Sequence, residues 1–117
     1  MNQYLLLLHE TPADQAGMSP AEGQDLLGRY VAWTQAMRAK GHIVAGEKLA
    51  DDGGRQLRIA DGKPLASDGP YAEAKDVIGG MYVIRAGSDA EAEQIASTCP
   101  HLFGRNWIQL RRIDPMA

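Results

Sequence analysis

Apolar residues open the chain as an unbroken run, Tyr4-Leu5-Leu6-Leu7-Leu8, inside a segment spanning Asn2–His9. Such a run, with Pro12 soon after it, has the length of a strand. Its two alternating rows, Gln3/Leu5/Leu7/His9 and Tyr4/Leu6/Leu8, are both largely apolar. A strand that is apolar on both sides is covered on both sides. Thr11–Met18, carrying Pro12 and Gly17, reads as a loop.

From Ser19 the period changes. Leu26, Tyr30, Trp33 and Met37, flanked by Leu27 and Val31, fall on one face of a long helix. Ser19-Pro20-Ala21-Glu22 supplies its start. Ser19 accepts from the backbone three residues on, Glu22 reaches back, and Pro20 fits the first helical slot. Arg38, Lys40 and Gly41 supply its end. Gly23 and Gly28 weaken local propensity, so packing must hold this helix.

His42–Leu49 alternates as a strand, with Ile43, Ala45, Glu47 and Leu49 against His42, Val44 and Gly46. Asp51–Gly54 is a turn, Arg55–Ala60 a short polar strand, and Lys63–Ser67 its return across the hairpin signal Asp61-Gly62. Asp68-Gly69-Pro70 breaks regular structure, Lys75–Val77 fits a helical turn, and Gly79–Ala86 is a strong strand. Ser88-Asp89-Ala90-Glu91 reads as a second capping box. It opens a helix with the apolar face Ala92, Ile95, Ala96 and Cys99, ended by Pro100; Asn106–Ile113 is the last strand.

With the hairpin set aside, the order is strand, helix, strand, strand, helix, strand. This is the split βαβ pattern of an α+β, ferredoxin-like sandwich, here one domain over residues 1–117. Two helices cover only one face of such a sheet. The two-sided first strand therefore calls for a further cover, and a second copy of the same sheet is the economical one. A homodimer packed face to face follows.

Composition narrows the partners. With 117 residues, 44% of them hydrophobic, the chain is long enough for one self-sufficient core. A net charge of −3, from 12 basic against 15 acidic residues, argues against a nucleic-acid surface. No run approaches the roughly 18 apolar residues of a membrane helix, and no secretory leader is expected, because Glu10 follows the first run at once. One cysteine, Cys99, excludes an internal disulfide framework and suits a cytoplasmic chain.

Candidate chemistry concentrates in Ser67-Asp68-Gly69-Pro70-Tyr71-Ala72-Glu73-Ala74-Lys75, upstream of Gly79-Gly80-Met81-Tyr82. Two carboxylates, a phenol and an ammonium cluster around a Gly-Pro bend, and loops on a rigid scaffold are where function gathers. The plainer reading is a solvated surface turn. Gly79 and Gly80 admit a close approach by backbone or ligand. His9 ends the first strand on the Leu5/Leu7 side, as a candidate acid/base group. Glu47, alternating with Ala45 and Leu49, must be paired or perturbed if it is buried. His101 sits just past the second helix, and Cys99 in its register is a small buried hydrophobe. The three histidines, at 9, 42 and 101, lack metal-ligand spacing, and no phosphate-cradle or dinucleotide motif occurs, so neither metal nor cofactor is expected.

The chain resembles the YCII-related domain family in its DGPF subgroup. Tyr4–Leu7, Asp68–Lys75, Gly79–Ile84, Cys99-Pro100-His101-Leu102 and Trp107–Ile113 carry the likeness, with Tyr71 where the subgroup has phenylalanine. The resemblance implies a ferredoxin-like fold dimerising into an α/β barrel, with an active site in a cleft near the dimer interface. A family His on the first long helix falls at about Tyr30, and a family Asp after the second helix near Cys99. Neither residue is retained here, which sets the dehydrochlorinase-like chemistry of one family branch aside. Two functions stand. In one, His9, Asp68 and Tyr71 act as acid/base groups on a small molecule held by Glu47, Glu73, Lys75, Gly80 and His101. In the other, a non-catalytic module senses a metabolite or acts with an extracytoplasmic-function sigma factor docked on the hairpin.

Overall fold

The computed structural model describes residues 1–68 and 76–116. Strand β1 (Asn2–Glu10) lies in the middle of an antiparallel four-stranded sheet, between β5 (Val77–Ala86) and β6 (Trp107–Arg112). Strand β2 (Ile43–Lys48) pairs with the other side of β5, giving the order β2-β5-β1-β6. The arrangement is α+β and compatible with a ferredoxin-like fold. No helix among the described residues is long and apolar enough to cross a membrane.

One row of the sheet makes the core. Tyr4, Leu6 and Leu8 of β1 and Tyr82, Ile84 and Ala86 of β5 pack with Trp33 of helix α2 (Pro20–Ala39) and with Ala92, Ile95 and Ala96 of helix α3 (Asp89–Ser97). The alternate row, Leu5, Leu7, Met81 and Val83, lies on the opposite face and stays half-exposed. The molecule is only 18 Å across its thinnest axis, the depth of one sheet and one helix layer. Both helices therefore serve the same face. Among the described residues, no helix covers the other face.

Helix α2 begins as its sequence requires: Ser19 Oγ accepts from the Glu22 N–H at 3.1 Å, and the Glu22 carboxylate accepts from the Ser19 N–H at 3.3 Å. The second cap is only half of that device. Ser88 Oγ accepts from Glu91 N–H, but the Glu91 carboxylate turns to the Gly87 N–H instead of Ser88. Thr11–Met18 is not all loop, since Pro12–Ala16 forms a short helix α1. Its Asp14 is clamped by Nη2 and Nε of the Arg105 guanidinium, at 2.7 and 3.1 Å, a partner 91 residues away that no local pattern announces. In place of a turn over Lys75–Val77, Val77 already belongs to β5, and Lys75 lies outside the described residues.

Strands β3 (Arg55–Ala60) and β4 (Lys63–Asp68) pair with each other as a separate two-stranded sheet. Asp61 and Gly62 both have positive φ, 50° and 77°, as the tight hairpin turn demands. The ribbon is not simply polar: Leu57 and Ile59 stand on its surface.

Two glycines test this packing in opposite senses. A Cβ on Gly46 would stand 2.6 Å from two ring carbons of Tyr82, whereas one on Gly28 of α2 meets nothing within 4 Å. Gly46→Ala should destabilise by about 1–3 kcal/mol through overpacking. Gly28→Ala should stabilise by about 0.5–1 kcal/mol through helix propensity. Equilibrium urea denaturation reads both; a neutral Gly46→Ala would contradict the Tyr82 placement.

Candidate functional site

Helix α2 is held mainly through Trp33, whose indole N–H donates to Thr98 Oγ1 at 2.8 Å, with Met37 packed partly on the core. Thr34 and Tyr82 share a hydroxyl hydrogen bond of 2.9 Å. The N-terminal half of α2 is less deeply seated, and Leu27 is exposed. Between this half and the β2–β5 edge runs a cleft of about 610 Å³. Leu8, Leu26 and Val31 give it apolar walls, and Gly46, Gly80 and Tyr82 line its β2–β5 side. Glu10, Tyr30, Glu47, Lys48 and His101 bring the polar groups.

His101 is fully buried and uses both ring nitrogens. Nε2 lies 2.7 Å from the His9 carbonyl oxygen, and Nδ1 lies 2.7 Å from the Tyr30 hydroxyl. A carbonyl can only accept, so Nε2 carries the proton and the bare Nδ1 accepts from Tyr30. Burial lowers the imidazole's proton affinity below the ordinary histidine value, and so favours this neutral tautomer. The Tyr30 phenol is driven the other way, well above its ordinary value, by burial and then by Cys99 and Glu10 nearby. Both partners are therefore kept neutral. Three elements meet at this pair: β1, α2 and the turn after α3.

The polar end of the cleft is set by a break in pairing. Leu8 faces Gly80 across the ladder and His9 faces Ile78, which leaves Gly79 as the extra residue of a bulge. A Cβ on Gly79 would overlap the Glu10 carboxylate, so the glycine is what lets that group lie against β5. Burial there raises the Glu10 carboxyl above its ordinary value, partly offset by Lys48. The Lys48 ammonium also holds Asp51 at 2.8 Å and the Leu49 carbonyl at 2.7 Å. A second cavity, of about 900 Å³, adjoins this one and shares Glu10, Lys48 and Gly79 with it.

The residues singled out by sequence divide between places. His101, Gly80 and Glu47 line the cleft. Glu47 is exposed on the edge strand β2, so it is not the buried carboxylate its alternation suggested. His9 does not line the cleft: its carbonyl accepts from His101, and its ring stacks on Trp107 at 3.8 Å with an interplanar angle of 7°. Trp107 in turn donates to Asp76 at 3.1 Å. Asp68 pairs with Arg55 at 2.5 Å at the base of the hairpin, its side chain 91% exposed, and it does not line the cleft. Tyr71, Glu73 and Lys75 lie outside the described residues.

Sequence reading missed Glu10, Lys48 and Tyr82 as site groups, and met Tyr30 only as a helix-face residue and a family position. One signal was available for Glu10: two places beyond Leu8, it continues the row that faces the helices. Among the described residues, no group of three or more His, Cys, Asp or Glu is arranged to hold a metal. The Cys99 thiol is buried and pushed up to about 11, the state of a packing residue and not of a nucleophile.

The family model of the YCII-related domain matches residues 2–116, and the chain belongs to this family. A search of curated proteins finds no match.

Buried His101 and half-buried Glu10 have opposite pH signatures. For His101, the native affinity is depressed from 6.5, so its contribution is whole above about that pH and is lost as pH falls through the native value. For Glu10, the native value is raised from 4.5, so its contribution is present at low pH and is lost as pH rises through that value. Glu10→Gln should therefore raise the melting temperature relative to wild type at pH 7 and not at pH 4. Tyr30→Phe, which strands His101 Nδ1, should cost about 1–3 kcal/mol in denaturant unfolding at pH 7. An unchanged Tyr30→Phe midpoint would contradict the pairing.

Proposed function

We propose that this YCII-related chain, as a homodimer joined through its open sheet face, binds a small organic acid or aromatic molecule in the cleft of Glu10, Tyr30 and His101, and carries out acid/base chemistry there with its own side chains. The observation that carries this reading is a carboxyl raised by burial, set in a cleft of about 610 Å³ beside a neutral Tyr–His pair. A carboxyl raised toward working pH is the form suited to exchange a proton with a substrate. Glu10 is the proton-exchanging group in this scheme. Lys48, whose charge already acts on Glu10, stabilises negative charge that develops on the ligand. Tyr30 donates its hydroxyl hydrogen bond to His101 Nδ1, so toward a ligand it presents oxygen lone pairs and an aromatic edge.

The likeness to the family adds a parallel. By the resemblance, the family's helix histidine falls at about Tyr30, and Tyr30 meets an imidazole, that of His101. The open face, with Leu5, Leu7, Met81 and Val83 half-exposed, supports the dimer. One observation favours the sensing alternative, in which the module acts with an extracytoplasmic-function sigma factor. Both His101 nitrogens are committed to structure, which leaves that imidazole no free base.

A thermal-shift screen of small organic acids and aromatics, followed by product detection by NMR, separates the two. Catalysis predicts a stabilising ligand that is converted, with turnover reduced at least ~100-fold in Glu10→Gln and ligand affinity largely kept. Gly79→Ala, which displaces the Glu10 carboxylate, should give a similar loss. Binding without conversion supports the sensing alternative, and full turnover in Glu10→Gln would refute the assignment of Glu10.

A further inference from the structure

A two-stranded ribbon is at best marginally stable alone in water. In the β3–β4 hairpin, Leu57 faces Ala66 and Ile59 faces Pro64, so one side of the ribbon is apolar, with the Arg55–Asp68 ion pair at its base. Leu57 and Ile59 are 72% and 71% exposed. On the other side, Gln56 is the half-buried residue of β3 and lines the cavity beside Lys48 and Asp76. The apolar side therefore turns away from the chain's own body.

We propose that this side of the hairpin is an arm that packs on a second copy of the chain. The inference rests on the sheet-face dimer proposed above and extends it to a second contact. Two observations point to this occupant, which under two-fold symmetry gives one arm and receives one. The radius of gyration is 16.2 Å, against about 13 Å for a compact chain of this length. Charge agrees too: residues 55–68 hold three cations and two carboxylates, leaving nine and thirteen to the rest of the chain. A mildly basic arm thus meets an acidic body. Pro64 lacks an N–H and blunts β4 as an edge, so the contact is made by the ribbon's side chains and not by strand addition.

Sedimentation equilibrium and hydrogen exchange test the arm on the full chain. Leu57→Asp/Ile59→Asp replaces exposed side chains, and circular dichroism confirms folding; should it fail to fold, Arg58→Glu/Lys63→Glu, which reverses the arm's charge, takes its place. The expected result is a dimer dissociation constant raised at least ten-fold in the variant. Amides 55–68 of the wild-type dimer should exchange more slowly than at dilutions that give monomer. A wild-type dimer whose affinity is unchanged in the variant, with hairpin amides equally fast in both states, overturns the arm, leaves the sheet-face dimer standing, and returns the hairpin to a different protein partner. A wild-type chain monomeric at micromolar concentration overturns both.

Discussion

A single buried imidazole ties the structure's functional end together. His101 comes from the turn after α3, donates a hydrogen bond from Nε2–H to the His9 carbonyl at the end of β1, and accepts one at Nδ1 from the Tyr30 hydroxyl of α2. A buried polar group without partners costs more than a typical hydrogen bond gains, so each of these bonds is held chiefly by the penalty for breaking it. That penalty fixes where the N-terminal half of α2 lies over the sheet. The cleft is the space left because α2 is pinned by Tyr30, Trp33 and Met37 and does not collapse onto β2 and β5.

The same economy shapes the rest of the chain. With two long helices spent on one face, the sheet keeps a second face of half-exposed Leu5, Leu7, Met81 and Val83, and the hairpin keeps Leu57 and Ile59 in water. These are the surfaces on which a second copy is proposed to complete the fold. The proposed chemistry lies on the opposite, helix-covered side, where a bulge at Gly79 seats Glu10. His9 joins the two sides. Its carbonyl anchors the site, while its ring lies on Trp107 in the open-face row of Leu5 and Leu7.

Much of the fold was legible because burial imposes a period on neighbouring residues. The stripe Leu26, Tyr30, Trp33 and Met37, the Ser19 cap and the Asp61-Gly62 turn all lie within short windows, and all take their expected places. What was hidden depends on distant partners. Helix α1 is held by the Asp14–Arg105 clamp, and Tyr30 meets His101 across 71 residues of sequence. Glu10 was overlooked because its burial arises from a missing Cβ on the neighbouring strand. The hairpin's apolar side was masked by Arg58 and Lys63 interleaved with Leu57 and Ile59, and it emerges only once the register with Pro64 and Ala66 is known. Alternation placed Glu47 in a row with Ala45 but could not reveal that β2 is an edge strand.

In this structure His101 is a neutral pin with its proton on Nε2. Nitrogen-15 NMR of the labelled imidazole across a pH titration tests it most directly. A protonated Nε2 and a bare, hydrogen-bond-accepting Nδ1 are expected at pH 7, with the ring titrating below its ordinary 6.5. A ring that titrates near 6.5, or one protonated on Nδ1 at neutral pH, would contradict it.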